Sequence, residues 1–162
     1  MKYCIECGTE LQTKYHEYEG GSIPYCLKCE QFRFPIFNTA ISVIIENTSG
    51  DKVLFIQQYG KKQNVLVAGY VDKGENAEDA VKREIFEEVG LEAINIRYNR
   101  SVYYEKSNAL ILNFTCSVTH DNYVMNVKEV DQVSWFAINE CKEHIASGSL
   151  AEKFLCAYLQ ER

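Results

Sequence analysis

Residues 69–91 read GYVDKGENAEDAVKREIFEEVGL and carry the strongest structural signal of the chain. Apolar residues in the second half of this stretch recur every four positions and form one helical stripe: Val81, Ile85 and Val89. Asn76 is a good N-cap residue, and Gly90 can adopt the left-handed backbone that ends a helix. The sequence therefore predicts a helix over residues 75–89, preceded by a glycine-containing loop.

Three glutamates of this helix indicate a metal site. Glu84, Glu87 and Glu88 lie three and four residues apart, so they crowd one side of the helix, where like charges repel. The glycines of the preceding loop, residues 68–75, allow backbone carbonyls to approach a bound ion. Oxygen-rich clusters suit a hard divalent cation, Mg²⁺ or Mn²⁺. The alternative is an acidic helix face that is only solvated.

The same residues resemble the Nudix box. The likeness rests on Gly69, on Glu75 and on residues 83–91, REIFEEVGL, which match the motif without a departure. The resemblance implies an α/β (α+β) fold, an α/β/α sandwich with a mixed sheet, in which the box forms a loop, a helix and a loop. It also implies an enzyme that hydrolyses a nucleoside diphosphate joined to another moiety, X.

The resemblance also implies roles for individual residues. Four carboxylates and one backbone carbonyl are expected to bind the divalent metal ions: Glu84, Glu87, Glu88, Glu129 and Ala68. Glu88 is the first choice for the group that positions or deprotonates water, and Glu87 is the second. Arg83 and Glu75 are expected to pair and to orient the carboxylates, with Gly69 beside them. An ordinary surface salt bridge is the alternative for that pair.

Aromatic residues are candidates for binding the base of the substrate, because a ring can stack on a purine or a nicotinamide face. Tyr70 is the leading candidate by its position at the mouth of the box loop. Tyr104 and Phe34 follow, and a place in the hydrophobic core is an equally good interpretation of these two.

Four cysteines near the start of the chain predict a second metal site. They form two Cys-x₂-Cys pairs separated by eighteen residues: Cys4, Cys7, Cys26 and Cys29. This spacing is typical of tetrahedral Zn²⁺, and four protein ligands make the zinc structural. Two disulfides are the alternative. We therefore expect a zinc ribbon over residues 1–31, a connector over 32–37 and a Nudix domain over 38–162.

A four-cysteine ribbon before a Nudix box is similar to the NADH pyrophosphatases, the NAD⁺ diphosphatases. The segments Phe34-Pro35 and Ser149-Leu150-Ala151 resemble that subgroup as well. Residues 101–107, SVYYEKS, depart from it, because the subgroup has a longer, proline-rich motif there that is tied to NADH preference. NAD(H)-like dinucleotides are therefore the first expectation, and ADP-ribose, FAD or dinucleoside polyphosphates are alternatives. A non-catalytic nucleotide sensor or a ribbon-mediated protein-binding module is the alternative from another class.

Composition limits the classes of protein to which the chain can belong. The chain has 162 residues, 46% of them apolar, and a net charge of −6, which is the balance of a globular protein with little general attraction for nucleic acid. By resemblance, NAD-capped RNA 5′ ends are still possible substrates, and a homodimer is expected. No apolar run reaches the ~18–20 residues of a membrane helix, so we expect a cytoplasmic protein that does not bind membranes.

The rest of the chain predicts strands separated by turns. The expected strands cover residues 40–45, 53–58, 93–98, 101–104, 109–118 and 130–136. A shorter apolar stretch covers residues 64–67, and a last helix is expected over residues 150–159.

Overall fold

The computed structural model describes all 162 residues, which form two compact units, Met1–Phe37 and Asn38–Arg162. The first unit holds a three-stranded antiparallel sheet in the order β1-β2-β3. Its strands are β1 (Gln12–His16), β2 (Gly21–Cys26) and β3 (Gln31–Phe32).

The second unit is built on a six-stranded mixed sheet. Its strands are β4 (Asn38–Glu46), β5 (Lys52–Gln57), β6 (Val67–Tyr70), β7 (Ala93–Tyr104), β8 (Ala109–Val118) and β9 (Gln132–Ala137). The order is β7-β8-β4-β5-β9, and β6 also pairs with β4. Only the β4–β8 pair is parallel. The helices are α1 (Ala77–Val89), α2 (Cys141–His144) and α3 (Leu150–Glu161), and none is both long and apolar enough to span a bilayer.

Two apolar cores lie on the two faces of this sheet, because side chains alternate between the faces of a strand. In β5, Leu54 and Ile56 pack in the core that contains the predicted α1 stripe, whereas Val53 and Phe55 pack in the core that contains Phe154 of α3. The sheet therefore lies between α1 on one face and α3 on the other. This arrangement confirms the α/β/α sandwich with a mixed sheet.

The sequence did not predict α2 or the three strands of the first unit, and within the large sheet the observed strands differ clearly from the predicted ones in two places. The strands expected at 93–98 and 101–104 form the single strand β7, whose pairing with β8 shifts register between Ile94 and Arg97 and again between Tyr98 and Arg100. The stretch expected at 64–67 forms only isolated bridges at its start, and the regular strand β6 begins at Val67.

The ends of α1 show how local signals act. Gly90 takes the expected left-handed conformation, with φ of 66°, and its N–H donates to the Phe86 carbonyl at 3.0 Å. Asn76 occupies the N-cap position, but its side chain makes no capping bond and instead donates to Asp79 at 3.2 Å. The apolar stripe of α1, together with the Gly90 stop, therefore defines the helix more than its N-cap does.

Candidate active site

A cavity of about 610 Å³ opens in the second unit, between the sheet, α1 and the start of α3. Eight of the residues singled out from the sequence line it: Ala68, Gly69, Tyr70, Arg83, Glu84, Glu88, Tyr104 and Glu129. The volume falls within the ~300–1,000 Å³ of typical small-molecule sites. The fold thus gathers residues from the box loop, the box helix, β7 and the loop before β9 around one space.

Backbone hydrogen bonds bring Glu129 near the other acidic residues of the cavity. Glu84, Glu88 and Glu129 together are called the acidic wall. Residue Glu129 lies 41 positions after Glu88 in the chain, yet its loop is tied to the end of α1. The Asn126 N–H donates to the Glu88 carbonyl at 3.0 Å, and the Glu129 N–H donates to the Asn126 carbonyl at 3.0 Å. These two backbone hydrogen bonds hold Glu129 beside the carboxyl end of the helix.

Gly69 allows Glu84 to approach the backbone of β6. A Cβ atom added at Gly69 would lie 2.0 Å from the Glu84 carboxyl carbon, far inside van der Waals contact. The Glu84 side chain is 13% exposed, and its Oε1 accepts from Arg83 Nη1 at 2.7 Å. The glycine at this position therefore makes room for a carboxylate packed against the main chain.

Gly69→Ala is expected to displace the Glu84 carboxylate while leaving the fold in place, because the clash is with the end of a side chain and not with backbone. Because the resemblance implies that Glu84 binds a metal ion, we expect hydrolytic turnover to fall by about 10–100-fold, the usual cost of disturbing groups that orient metal ligands. Steady-state kinetics and thermal melting measure the two effects. Gly21→Ala is the control, because the nearest atom to its new Cβ lies 3.9 Å away. Full activity of Gly69→Ala would contradict this role for the Gly69–Glu84 contact.

Glu88 is the most unusual carboxylate of the acidic wall. It is 4% exposed, its Oε1 accepts from Gln58 Nε2 at 2.8 Å, and its Oε2 is buried without any hydrogen-bond partner. Burial, together with repulsion from Glu84, Glu129 and Glu87, raises the pKa of Glu88 to about 8, against the opposing effect of the Gln58 hydrogen bond. A buried, unpartnered carboxylate oxygen among other carboxylates is a fitting ligand for a divalent cation.

Arg83 holds the acidic residues together. Its Nε and Nη2 atoms bind the two oxygens of Glu75 at 2.8 and 2.9 Å, and Nη1 binds Glu84 and, at 3.2 Å, Glu87. Nη2 also donates to the Tyr70 carbonyl at 3.0 Å. The Arg83 hydrogen bonds and the Asp72 N–H lower the pKa of Glu75 to about 2. The expected Arg83–Glu75 pair is formed, and it connects the box loop to the box helix.

Three of the residues predicted for the active site do not line the cavity. Glu75 lies behind it through Arg83, and the Glu87 side chain is 50% exposed beside a second hollow that also contains Phe86. Phe34 belongs to the first unit, where its ring centroid lies 6.1 Å from that of His16.

The structure adds residues that the sequence did not indicate as site residues. Gln58 and Tyr59 line the cavity just after β5, and Gln58 contacts Glu88 directly. Ser149, Leu150 and Ala151, noted only as a subgroup resemblance, also line it. Tyr104 and Ser107 bring the divergent segment 101–107 to the same cavity. Gln58 is the second of two glutamines that follow the apolar run of β5, and this was its only local signal.

The four cysteines of the first unit converge as their spacing predicts. Their sulfur atoms all lie within 4.8 Å of one another, with Cys4–Cys29 at 3.9 Å and Cys7–Cys26 at 3.5 Å. A tetrahedral Zn²⁺ with Zn–S bonds of ~2.3 Å requires sulfur atoms about 3.8 Å apart. A disulfide requires ~2.05 Å, and all seven cysteines are free. The cluster fits zinc and not two disulfides.

The family comparison agrees with this fold and this site. The family model described as "NUDIX domain" matches residues 37–156, which is most of the chain. The chain therefore belongs to the NUDIX domain family.

The chain is also similar to curated relatives and to solved structures. The chain is 29% identical to the NAD-capped RNA hydrolase NudC of Pseudomonas aeruginosa and 28% identical to that of Pseudomonas syringae pv. tomato, over 99% of its own length. It spans only 56% of the length of these curated relatives. The fold is similar to a NUDIX hydrolase from Nitrosomonas europaea (TM-score 0.68, 21% identity, 100% of this chain and 92% of that one). It is also similar to the NUDIX domain of Shewanella oneidensis NrtR complexed with ADP ribose (TM-score 0.65, 15% identity, 85% and 93%).

Proposed function

We propose that this chain hydrolyses the diphosphate linkage of nucleoside diphosphate-X compounds, with NAD(H)-like dinucleotides as the preferred class and two mononucleotides as products. ADP-ribose, FAD and dinucleoside polyphosphates carry the same linkage and are the alternatives. The proposed ligands of Mg²⁺ or Mn²⁺ are four carboxylates and one backbone carbonyl: Glu84, Glu87, Glu88, Glu129 and Ala68.

The observation that carries the proposal is the Oε2 atom of Glu88. This oxygen is buried and has no hydrogen-bond partner, and Glu84 and Glu129 line the same cavity. Leaving such an atom unpaired costs about 1–3 kcal/mol or more, so a fold that keeps it needs a compensating ligand. A cation is the ligand that would satisfy three neighbouring carboxylates, and it would also attract an anionic substrate. A merely solvated acidic face would have Glu88 exposed, and it is buried.

In the proposed reaction, a water oxygen forms a bond to one phosphorus while the bond from that phosphorus to the bridging oxygen breaks. Glu88 accepts the proton of the attacking water, with Glu87 as the second choice, because Glu88 lines the cavity and Glu87 does not. Arg83 keeps Glu84 and Glu75 in position through its hydrogen bonds. When bound, a divalent cation would offset the charge of the diphosphate and make water more acidic.

The aromatic residues that line the cavity support a substrate with at least one aromatic base. Tyr70 and Tyr104 line it, as does Tyr59, and aromatic rings stack on nucleobases. The names of the curated relatives support an NAD-like end. The divergent segment 101–107 borders the cavity through Tyr104 and Ser107. Preference among dinucleotides is therefore expected to depend on this segment.

The test is a substrate panel with the full chain and either Mg²⁺ or Mn²⁺. NADH, NAD⁺, ADP-ribose, FAD and diadenosine polyphosphates are compared, and products are identified by mass. We expect NADH or NAD⁺ to be cleaved to two mononucleotides, and cleavage to stop in chelator. Cleavage of ADP-ribose alone would select that alternative over dinucleotides. If the chain binds these compounds but does not cleave them in the presence of either metal, the proposal is overturned in favour of a sensor.

Three further expectations accompany the proposal. NAD-capped RNA is a possible extended substrate, although a net charge of −6 offers little attraction for the RNA chain. The division into a zinc ribbon (1–31), a connector (32–37) and a Nudix domain (38–162) is proposed on the cysteine cluster and the family match. A homodimer and a cytoplasmic location stay predictions from the resemblance and the sequence.

A further inference from the structure

A buried arginine contacts the cysteine cluster of the first unit. Arg33 is 9% exposed, and its Nε donates to the sulfur of Cys4 at 3.2 Å. Cys4 is 3% exposed, so the contact is shielded from water. An arginine is almost never buried unless its charge is paired. Its position beside a sulfur atom therefore needs an explanation.

The guanidinium is held from several directions. Its Nη2 donates to Glu6 at 2.8 Å and its Nη1 to Gln31 at 2.7 Å, while the backbone N–H of Arg33 donates to the Pro24 carbonyl at 2.7 Å. These contacts leave the Nε–H aimed at Cys4. Because the planar fork is fixed on its other side, the direction of this bond is set by the fold.

The chemistry of the contact indicates a charged sulfur. A guanidinium has only donors, so it stabilises a thiolate more than a neutral thiol. Four thiolates around one Zn²⁺ carry a formal charge of −2, and a buried site with that charge is costly unless a cation lies nearby. By contrast, the Cys29 N–H that donates to Cys26 Sγ at 3.4 Å is uncharged, and at Cys7 the sulfur itself donates to Thr9 Oγ1 at 3.3 Å.

We propose that Arg33 is a positioning residue of the zinc site, which offsets part of the thiolate charge and orients Cys4 toward the ion. The inference rests on the assignment of the four cysteines to zinc. Glu6 supports Arg33 from the solvent side, where it is 58% exposed, and so acts on the site only through the guanidinium. Since Arg33 directly follows β3, the zinc site and the end of the three-stranded sheet are joined by one side chain.

The test compares zinc retention in full-length variants, with a chromophoric chelator as competitor. Arg33→Met keeps much of the apolar volume and removes the donors, and we expect zinc affinity about 10–100-fold weaker than in the unaltered chain. Arg33→Lys is expected to fall between the two, because it keeps the charge and loses the fork. Glu6→Gln is expected to weaken zinc less than Arg33→Met does.

The control and a second readout separate this role from simple structural loss. Lys28→Met removes one positive charge from a position between Cys26 and Cys29, and it is expected to retain zinc like the unaltered chain. In the Co²⁺-substituted protein, the thiolate-to-cobalt absorption band is expected to shift in Arg33→Met and not in Lys28→Met. Equal zinc affinity and an unshifted band in Arg33→Met would overturn the inference. An unaltered chain without zinc would instead remove the zinc assignment itself.

Discussion

Glu88→Gln is expected to lower the turnover of dinucleotides by about 10³-fold or more. The variant keeps the size of the side chain and its contact with Gln58, but it loses both the negative charge that binds a cation and the group that accepts a proton. General-base catalysis alone is worth about 10²–10⁴-fold. Steady-state kinetics with saturating Mn²⁺ measure the loss. Glu78→Gln is the matched control, because Glu78 is a carboxylate in the first turn of the same helix and does not line the cavity.

The same variant carries its own check that the fold is intact. In the metal-free protein, Glu88 has a pKa of about 8 against an ordinary value of 4.5. Between these two pH values the unfolded chain has released a proton that the folded chain retains, so the free energy of unfolding falls as pH rises and stays low above pH 8. The amide introduced by Glu88→Gln cannot ionise. We therefore expect the variant to be about 1–3 kcal/mol more stable than the unaltered chain at a pH of about 8.5 in chelator, and equal to it near a pH of about 4.

Two results would contradict this assignment. Unchanged turnover of Glu88→Gln would remove Glu88 from the chemistry. Parallel dependence of unfolding on pH in the two proteins, measured in urea, would show that the charge of Glu88 costs nothing in the fold. A variant that is inactive and also less stable at every pH would point to damaged packing instead.

Cys26→Ser is expected to lose bound zinc and to unfold the first unit while leaving the second in place. Cys26 is fully buried, and the first unit, Met1–Phe37, is too short to bury a sufficient core without a metal. Structural zinc supplies about 10–16 kcal/mol of apparent binding free energy in small domains, so its loss exceeds the stability of such a unit. Metal analysis and hydrogen exchange of residues 1–37 measure the effect.

Cys156→Ser provides the matched control for the zinc prediction. Cys156 is a free, half-buried cysteine in α3 and lies outside the four-cysteine cluster. We expect this variant to keep one zinc per chain and normal exchange in the first unit. Equal protection of residues 1–37 in Cys26→Ser, with no zinc in the unaltered chain, would remove the zinc ribbon from this protein.

Local signals accounted for the features whose partners lie close in the chain. The stripe of α1 and the Gly90 stop are set within one helix, because helical spacing alone places Val81, Ile85 and Val89 on one face. The two Cys-x₂-Cys turns each aim a pair of sulfurs at one point. These features depend on short-range geometry, so the chain predicts them directly.

Features that depend on distant segments could not be predicted in the same way. Gln58 lies 30 residues before Glu88, and nothing in either segment indicates that the one donates to the other. The burial of Glu88 and the exposure of Glu87 are equally invisible, since both residues are glutamates with the same helical environment in sequence. The Glu88 side chain lies in the cavity against Gln58, whereas Glu87 lines the separate hollow beside Phe86.

Residue type and spacing within short segments were enough to predict the family, the acidic helix and the cluster of four cysteines that we propose as zinc ligands. Tertiary contacts settle which glutamate is buried with one carboxylate oxygen unpartnered, and which arginine donates to Cys4. Both outcomes follow from desolvation, since the cost of a charge depends on the distant segments that exclude water from it.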